Sequence, residues 1–414
     1  MCSKRIWVIS EIYYPIKTST GYYLTEISEY LVTKGLDVHV ICTGSTYNEG
    51  ESMSLLREEC HKGVNIHRVF PPNLDKNNFF KRTLRLFFSS FQLFLKVLFW
   101  VQRGDELLVV TNPAFLILMM PYVAWKKKIN YTILVHDIFP ENLVAIKKMS
   151  SSSIAYKCLK RVYDKAYSKA RICISIGRDM TEILISKTRT NAKISFIPIW
   201  AENRAIYPLD KRDTNLYEKL KLEGKFVFQF AGNLGHAQGI DNLLAAIEKI
   251  DVEDIHFLFI GGGAKFDEIS SFISHRGQKN VSLLGFQDRS QQNDFLNACD
   301  IGIVTLNDGM YGLGVPSKSY NIWAAGKPIL YIGDDNSEIA LCIKEFTLGW
   351  IVSPNDPHAL KNMIEFIYDN RNNLSSIRNN ARTVSDTIFA KDQILERYYT
   401  SVSYTHLTLP TKRI

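Results

Sequence analysis

The chain lacks the motifs of several common enzyme classes. No GxGxxG follows the first apolar run, which continues instead as SEIYYP at residues 10–15, and this argues against a nicotinamide or flavin dehydrogenase. No GxxxxGK[ST] loop is present, which argues against a P-loop ATPase. The seven cysteines form no CxxC pair, and histidine and cysteine show no metal-ligand spacing. Because the N-terminus also shows no signal-peptide pattern, we expect a cytosolic protein with reduced cysteines and no structural zinc.

The composition is that of a globular protein. Its 414 residues suffice for two domains of ordinary size, and 46% of them are apolar and 22% charged. The net charge of +8 is modest, but lysine and arginine gather in the first half, at 76–103, 126–128 and 147–171. A basic half of this kind suits phosphorylated ligands, nucleic acid or an anionic membrane.

Apolar runs alternate with helical patterns, and this rhythm occurs twice. The predicted strands of the first half are residues 4–10, 38–43, 64–70, 106–111, 130–136 and 171–176. Those of the second half are 226–230, 256–260, 281–284, 301–305, 328–332 and 349–352. Apolar strands that alternate with helices predict a parallel sheet covered on both faces. The sequence therefore predicts an α/β protein of two Rossmann-like, doubly wound halves with a cleft between them.

A glycine-bearing turn connects the first strand of the second half to a helical pattern. Gly232, Asn233 and Gly235 follow the run 226–230 and precede the amphipathic residues 242–247. At such a turn, free backbone N–H groups and the positive end of a helix face an anion, and glycine lets it approach. Ordinary strand-to-helix turns also use glycine, so this pattern alone does not establish a phosphate site.

Residues 78–100 are unusually rich in aromatic and basic side chains. We assign a membrane or acceptor role to one set of them, namely Phe79, Lys81, Arg82, Arg85, Phe88 and Trp100. Lys96 interrupts the apolar run, which leaves it too short and too charged for a transmembrane span. A basic aromatic helix can lie in a bilayer interface. The alternative is a buried helix in the layer that covers the sheet.

A series of segments in fixed order resembles the retaining, GT-B-fold glycosyltransferases of family 4, over roughly residues 4–400. Within that family, the chain is most similar to bacterial surface-polysaccharide enzymes such as the N-acetylfucosamine transferase branch. The matching segments are YP at 14–15 through Gly21, VHDIFPE at 135–141, SIGRDM at 175–180, IPIWAE at 197–202, GNLG at 232–235, IGGG at 260–263, GF at 285–286 and VPSKSYNIWAAGKP at 315–328. Their order and spacing together carry the resemblance.

The resemblance implies an acceptor-binding domain at 1–200 and a nucleotide-sugar domain at 201–385. A helix within 386–402 would cross back to the first domain, and we interpret residues 403–414 as a non-native or disordered tail. Catalytic contacts are implied for His136, Asp137 and Lys318. The implied donor-binding residues are Gly21, Gly232, Asn233, Gly235, His236, Gln238, Gly262, Gly263, Phe286, Pro316, Ser317 and Asn321. His136 and Asp137 also admit structural roles, as a hydrogen-bonded histidine and as a turn cap.

Several positions depart from the family pattern. His236 and Gln238 occupy positions where many members carry a basic residue and, shortly after it, a lysine. Lys318 is the first candidate to supply the missing positive charge, and Arg178 is the second. Asn321 occupies the position of the family's ribose-binding glutamate, and Glu338 is a weaker alternative for that role. The family's N-terminal glycine pair is incomplete, with Thr20 followed by Gly21.

The resemblance implies a metal-independent reaction without a cofactor, in which a sugar moves from a UDP sugar to a lipid-linked oligosaccharide with retention. Such an enzyme would act in capsule or O-antigen biosynthesis, peripherally bound to the inner face of an anionic membrane, with no nucleic acid as partner. Two alternatives remain. One is a degenerate, non-catalytic partner protein, and the other is a UDP-sugar 2-epimerase, which shares the fold but gives no reason for the aromatic helix.

Overall fold

The computed structural model describes residues 5–16, 18–44, 55–72, 79–189, 194–277 and 280–403, and the predicted tail 404–414 lies outside them. The chain divides into two compact units, Met1–Ile197 with Leu395–Ile414, and Pro198–Ile394. The second division falls inside the last helix, Lys391–Ser403. Each unit has one sheet with helices around it. The described cysteines are all free.

The described residues of the first unit form an eight-stranded sheet with the order β3-β4-β2-β1-β5-β6-β7-β8, in which β3 and β4 pair antiparallel and the other described neighbours pair parallel. Its strands are β1 (Arg5–Ile9), β2 (Asp37–Thr43), β3 (Glu58–His61), β4 (Val64–Val69), β5 (Glu106–Val110), β6 (Tyr131–Val135), β7 (Ile172–Ser175) and β8 (Ile194–Phe196). Its helices are α1 (Ser19–Thr33), α2 (Phe79–Trp100), α3 (Leu116–Lys127), α4 (Glu141–Ala145), α5 (Ile154–Lys169) and α6 (Arg178–Thr188).

The second unit has a six-stranded parallel sheet with the order β11-β10-β9-β12-β13-β14. Its strands are β9 (Phe226–Ala231), β10 (Ile255–Ile260), β11 (Val281–Leu284), β12 (Ile301–Thr305), β13 (Ile329–Ile332) and β14 (Gly349–Val352). Its helices are α7 (Asn215–Lys219), α8 (Ile240–Ile247), α9 (Phe266–Arg276), α10 (Gln292–Asn297), α11 (Lys318–Ala324), α12 (Glu338–Phe346), α13 (Pro357–Asp369) and α14 (Ser375–Thr387), and α15 (Lys391–Ser403) ends the described chain.

Local sequence explains most of these elements. The strand β9 is buried at every position, as expected for a central strand that helices cover on both faces. The helix α1 begins where the Thr18 side chain accepts a hydrogen bond from Gly21 N–H, and it buries Leu24, Ile27 and Leu31 at helical spacing. The strands β3 and β8 were not predicted, because both are short and half-exposed and therefore carry no continuous apolar run.

The sheet topology defines where a ligand site is expected. In the second unit the chain moves outward from β9 through β10 to β11, and then returns to the other side of β9 with β12. In the first unit the same reversal lies between β1 and β5. Open α/β sheets bind ligands beyond the carboxyl ends of the strands at such a switch point. Ligand sites are therefore expected at the loops that follow β9 and β12 and at those that follow β1 and β5.

Candidate functional site

The glycine turn lies directly beyond the carboxyl end of β9. Gly232 N–H donates to Ile260 O at 2.8 Å, and Leu234 N–H donates to Gly262 O at 2.9 Å. Two of the four backbone donors in residues 232–235 are thus already used within the unit. The N–H groups of Asn233 and Gly235 remain the candidate donors to an anion.

Glycine is needed at this edge because two turns approach each other closely. A Cβ on Gly261 would lie 1.8 Å from Gly232 O, and one on Gly263 would lie 2.6 Å from Asn233 Oδ1. A Cβ on Gly262 would lie 2.8 Å from the ring of Phe286, which is itself largely exposed. The missing side chains at 261–263 therefore allow the loops after β9 and β10 to pack together.

Lys318 brings a positive charge to the same turn. It begins α11, and its Nζ lies 3.4 Å from the centre of the Phe230 ring and 3.8 Å from the place of a Cβ on Gly232. The amine is buried and has no hydrogen-bond partner among the described residues. Burial lowers the pKa of Lys318 to about 7. A buried amine without an acceptor is costly, and a bound anion would remove that cost.

The loop after β12 forms hydrogen bonds with the residues that directly follow the glycine turn. Asn307 N–H donates to Ala237 O at 2.9 Å, and Asn307 Nδ2 donates to His236 O at 2.5 Å. The His236 side chain is exposed, and Gln238 is partly buried. Sequence reasoning missed Asn307, although a polar residue soon after a buried strand at the switch point is a usable signal.

Three further predicted residues lie on or before α11. Pro316 O accepts from Ser319 N–H at 3.2 Å, and Ser317 directly precedes the helix. Asn321 is buried, and its Oδ1 accepts a hydrogen bond from Glu202 N–H at 3.0 Å. One polar group of Asn321 therefore has an internal partner, and its ribose role stays a prediction. The alternative residue, Glu338, is buried and accepts from Cys342 Sγ at 3.3 Å.

In the first unit, His136 and Asp137 follow β6. Both of their backbone N–H groups donate to Thr111 Oγ1, at 3.1 and 3.2 Å, and Asp137 Oδ1 accepts from Asn142 Nδ2 at 3.3 Å. Burial lowers the pKa of His136 to about 4 and raises the pKa of Asp137 to about 6. At neutral pH, His136 is therefore uncharged and Asp137 is mostly ionised.

Two other predicted residues lie in the first turns of helices. Gly21 lies in the first turn of α1, where its N–H donates to Thr18 Oγ1 at 3.2 Å and a Cβ would lie 2.7 Å from Ile16 O. Arg178 is the first residue of α6. Both belong to the first unit, whereas Lys318 belongs to the second.

An ion pair at the switch point of the first unit was missed. Glu11 follows β1 and is nearly buried, its N–H donates to Asn112 O at 3.0 Å, and its Oε1 lies 3.5 Å from Arg85 Nη2. Arg85 was assigned a membrane or acceptor role, and its side chain extends from α2 toward this carboxylate. The position of Glu11 directly after a strand was the available signal.

The helix α2 is both a covering helix and an exposed aromatic surface. Its residues 80–100 are long and apolar enough to span a membrane, with a mean hydropathy of 1.2, and 22% of that window is buried. This differs from the prediction that the run is too short. One face packs on the sheet through Ser89, Leu93 and Val97. Trp100 also turns inward, and the centre of its ring lies 4.7 Å from the centre of the His67 ring.

The opposite face of α2 continues onto α3. Ring contacts of about 6 Å join Phe87 to Phe91, Phe91 to Phe94, Phe94 to Tyr122 and Tyr122 to Trp125. Phe80, Phe99 and Trp125 are 75%, 74% and 73% exposed. Of the predicted set, Lys81, Arg82 and Phe88 are exposed, and the side chain of Phe79 lies outside the described structure. We call this surface, Phe80 to Phe99 on α2 with Tyr122 and Trp125 on α3, the aromatic face.

The comparisons with known proteins cover nearly the whole chain. Residues 211–384 match the family Glycosyl transferases group 1, and residues 20–200 match Glycosyltransferase Family 4. The probable glycosyltransferase WbjE of Pseudomonas aeruginosa is 35% identical over 396 residues, which cover 95% of this chain and 96% of that protein. The putative colanic acid biosynthesis glycosyl transferase WcaI of Escherichia coli (strain K12) is 23% identical, with coverages of 86% and 90%.

Solved structures agree on the architecture. HepE of Anabaena in complex with UDP has a TM-score of 0.74 and 13% identity, and the match covers 97% of this chain and 100% of that one. At this identity the likeness concerns the fold, and it confirms the predicted GT-B class with two Rossmann-like α/β domains. The match to WbjE extends over both units at an identity that shows common family. The chain is a glycosyltransferase and belongs to the group 1 and family 4 glycosyltransferases.

Proposed function

We propose that the chain transfers a sugar from a UDP sugar to a lipid-linked oligosaccharide in cell-surface polysaccharide biosynthesis, such as that of capsule or O-antigen. Family membership supplies the reaction class. The description of WcaI in colanic acid biosynthesis supports a polysaccharide product. The complexes of HepE with UDP and with UDP-glucose support a UDP donor.

The observation that carries the donor site is the buried amine of Lys318 beside the glycine turn. Its lack of an acceptor within the described residues leaves three N–H bonds for a ligand. A diphosphate there would receive one charge-assisted hydrogen bond from Lys318 and further bonds from Asn233 and Gly235 N–H. Charge-assisted bonds are each stabilising by about 1.5–3 kcal/mol. The proposed reaction therefore draws its positive charge from the protein and needs no metal or cofactor.

The other donor contacts follow from the same placement. The exposed ring of Phe286 and the loop at Gly262 and Gly263 would hold the base, because they border the same strand ends. His236 and Gln238 would face the sugar or the diphosphate from the turn. Pro316, Ser317 and Asn321 would contact the nucleotide from α11, and a donor contact at Gly21 stays a prediction from the sequence.

The proposed chemistry proceeds with retention. The bond between the anomeric carbon and the departing phosphate oxygen breaks, and the acceptor oxygen bonds to that carbon on the same face. The acceptor proton passes to the departing phosphate. His136 and Asp137 would position the acceptor hydroxyl, since His136 is neutral and Asp137 is ionised at neutral pH. Positioning and electrostatic stabilisation of the diphosphate supply the rate enhancement.

A donor panel tests this function. The full chain is incubated with a UDP sugar and a polyprenyl-diphosphate oligosaccharide in buffer containing EDTA. UDP-N-acetylfucosamine is the first donor tested, because of the sequence resemblance. We expect acceptor-dependent UDP release with one donor, and an anomeric configuration in the product, read by NMR coupling constants, equal to that of the donor. No release with a broad panel would contradict the proposal, and UDP binding without turnover would favour a non-catalytic partner.

We also propose that the aromatic face places the enzyme on the anionic inner leaflet of the cell membrane, where a lipid-linked acceptor resides. Tyr122, Trp125 and Lys126 share one side of α3 at helical spacing, and Lys81 flanks the phenylalanines of α2. Exposed rings at the interface and basic groups at the headgroups suit a helix that lies in the membrane plane. Spanning is disfavoured, because it would strip α2 from the sheet and break the Glu11–Arg85 pair.

Vesicle sedimentation tests this surface. Trp125→Ala and Lys126→Glu should each lower binding to phosphatidylglycerol vesicles by about fivefold or more, because each basic group contributes about 1 kcal/mol near anionic lipid and each ring adds buried apolar area. Lys249→Glu, at an exposed position of the second unit, is the matched charge control and should change nothing. Equal binding of all variants, or equal binding to phosphatidylcholine vesicles, would contradict the proposal.

A further inference from the structure

The second unit contains a cavity at the amino ends of its strands. It is open to solvent, has a volume of about 750 Å³ and is bordered by Phe226 at the start of β9 and by Asp254, Asp300 and Lys327, just before β10, β12 and β13. The glycine turn follows the carboxyl end of β9, so this cavity lies at the opposite edge of the sheet and is distinct from the donor site. Its volume is within the range of small-molecule pockets.

Positive charge exceeds negative charge in this cavity. Among the described residues that line it, seven are basic and three are acidic. Asp300 accepts from both Lys211, at 2.6 Å, and Arg378, at 3.3 Å. The other two carboxylates each have a basic partner as well, since Asp210 pairs with Arg212 at 2.6 Å and Asp254 lies 4.0 Å from Lys225. The acidic groups are therefore all engaged, and basic groups remain.

The remaining donors point to an anion. Lys327 is 6% exposed, and in the described structure its ammonium has one acceptor, Leu209 O at 3.3 Å. Arg378 Nε is buried without a partner among the described residues. Arg371 has no carboxylate partner there; its Nη1 donates to Tyr368 O at 2.9 Å, and its Cζ lies 4.1 Å from the centre of the Tyr368 ring. An ammonium donates three hydrogen bonds and a guanidinium five, so several donors here lack acceptors.

We propose that this cavity binds the phosphate group of a small phosphorylated molecule, with Lys327 and Arg378 as its ligands and Arg371 beside it. A phosphate offers several oxygens to N–H donors, and the guanidinium of Arg378 has an unpartnered Nε beside the Nη2 that contacts Asp300. The aromatic rings of Tyr217 and Tyr368, which also line the cavity, would contact the carbon part of the molecule. Burial lowers the pKa of Lys327, as expected for a cation that lacks its anion. This site does not depend on the proposed donor and acceptor.

Calorimetric titration with inorganic phosphate and with glycerol 3-phosphate, at constant ionic strength, tests the proposal. We expect saturable binding of both, tighter for the monoester, and at least a tenfold loss in Lys327→Met and in Arg378→Gln. Methionine keeps the volume of the buried lysine stem, and Arg378 is partly exposed, so both variants should fold, which circular dichroism checks. Lys249→Gln, on the surface of the same unit, should bind as the wild type does.

Phosphate could also bind at the glycine turn, and Lys318→Gln separates the two places. The proposal expects Lys318→Gln to retain the phosphate affinity of the wild type within about twofold. Loss of binding in Lys318→Gln with wild-type binding in Lys327→Met would overturn it, as would the absence of saturation. Equal affinities for phosphate and its monoester would overturn the assignment to a phosphorylated molecule.

Discussion

Replacement of Lys318 by glutamine should lower the rate constant for sugar transfer by about 10²- to 10³-fold at saturating substrate, the usual loss when one preorganised donor to a developing oxyanion is removed. The amine is buried, unpartnered in the described structure and 3.4 Å from the centre of an aromatic ring, so its charge acts at low dielectric. As the bond to the diphosphate breaks, negative charge grows on oxygens that Lys318 would contact. Steady-state kinetics with the best donor measures this loss.

The same residue predicts a pH dependence of donor binding. Its pKa is about 7 in the free protein, and the charged form exists below that value, so affinity must fall as the pH rises. Between pH 6 and pH 8 the charged fraction falls about tenfold, and so should the affinity for UDP-glucose. Lys318→Arg should bind with little pH dependence, because arginine stays charged, and Lys249→Gln should behave as the wild type. A flat profile in the wild type would contradict the assignment.

Replacement of Gly261 by alanine should destabilise the second unit by about 3 kcal/mol or more, through backbone strain and steric overlap. The new Cβ would lie 1.8 Å from Gly232 O, a backbone atom of a residue that Ile260 O holds through a hydrogen bond, and Gly261 has a φ of +143°. The loops after β9 and β10 would have to separate, so donor binding should fall together with stability. Urea unfolding gives the first quantity and calorimetry with UDP gives the second.

Gly277→Ala is the matched control for this effect. Gly277 also has a positive φ, of +59°, but a Cβ there would meet no atom within 4 Å. Its cost should be about 1 kcal/mol, from the left-handed conformation alone, with no change in UDP affinity. Equal destabilisation by the two variants would show that conformation, and not the close approach of the two turns, requires glycine at 261.

Predictions from the sequence succeeded where the signal is local. The buried run 226–231 reads as a central strand because every side chain in it is apolar or lies in the core, and the glycines that follow mark the turn. The strands β3 and β8 were not predicted, because half-exposed edge strands carry no continuous apolar run. The aromatic segment was found, but which of its side chains face outward was not, since Trp100 packs against His67 and Arg85 approaches Glu11.

The sequence by itself determined the α/β class, the two halves, the glycine turn and the basic aromatic helix, because strand burial, turn chemistry and helical spacing act over a few residues. Only the tertiary structure decided that the Lys318 amine lies at that turn without a hydrogen-bond partner among the described residues. The same holds for two hydrogen bonds between residues far apart in sequence: Asn307 to His236 O, 71 residues away, and Glu202 N–H to Asn321, 119 residues away. Such contacts depend on strand order and packing, which bring together residues whose spacing along the chain carries no periodic signal.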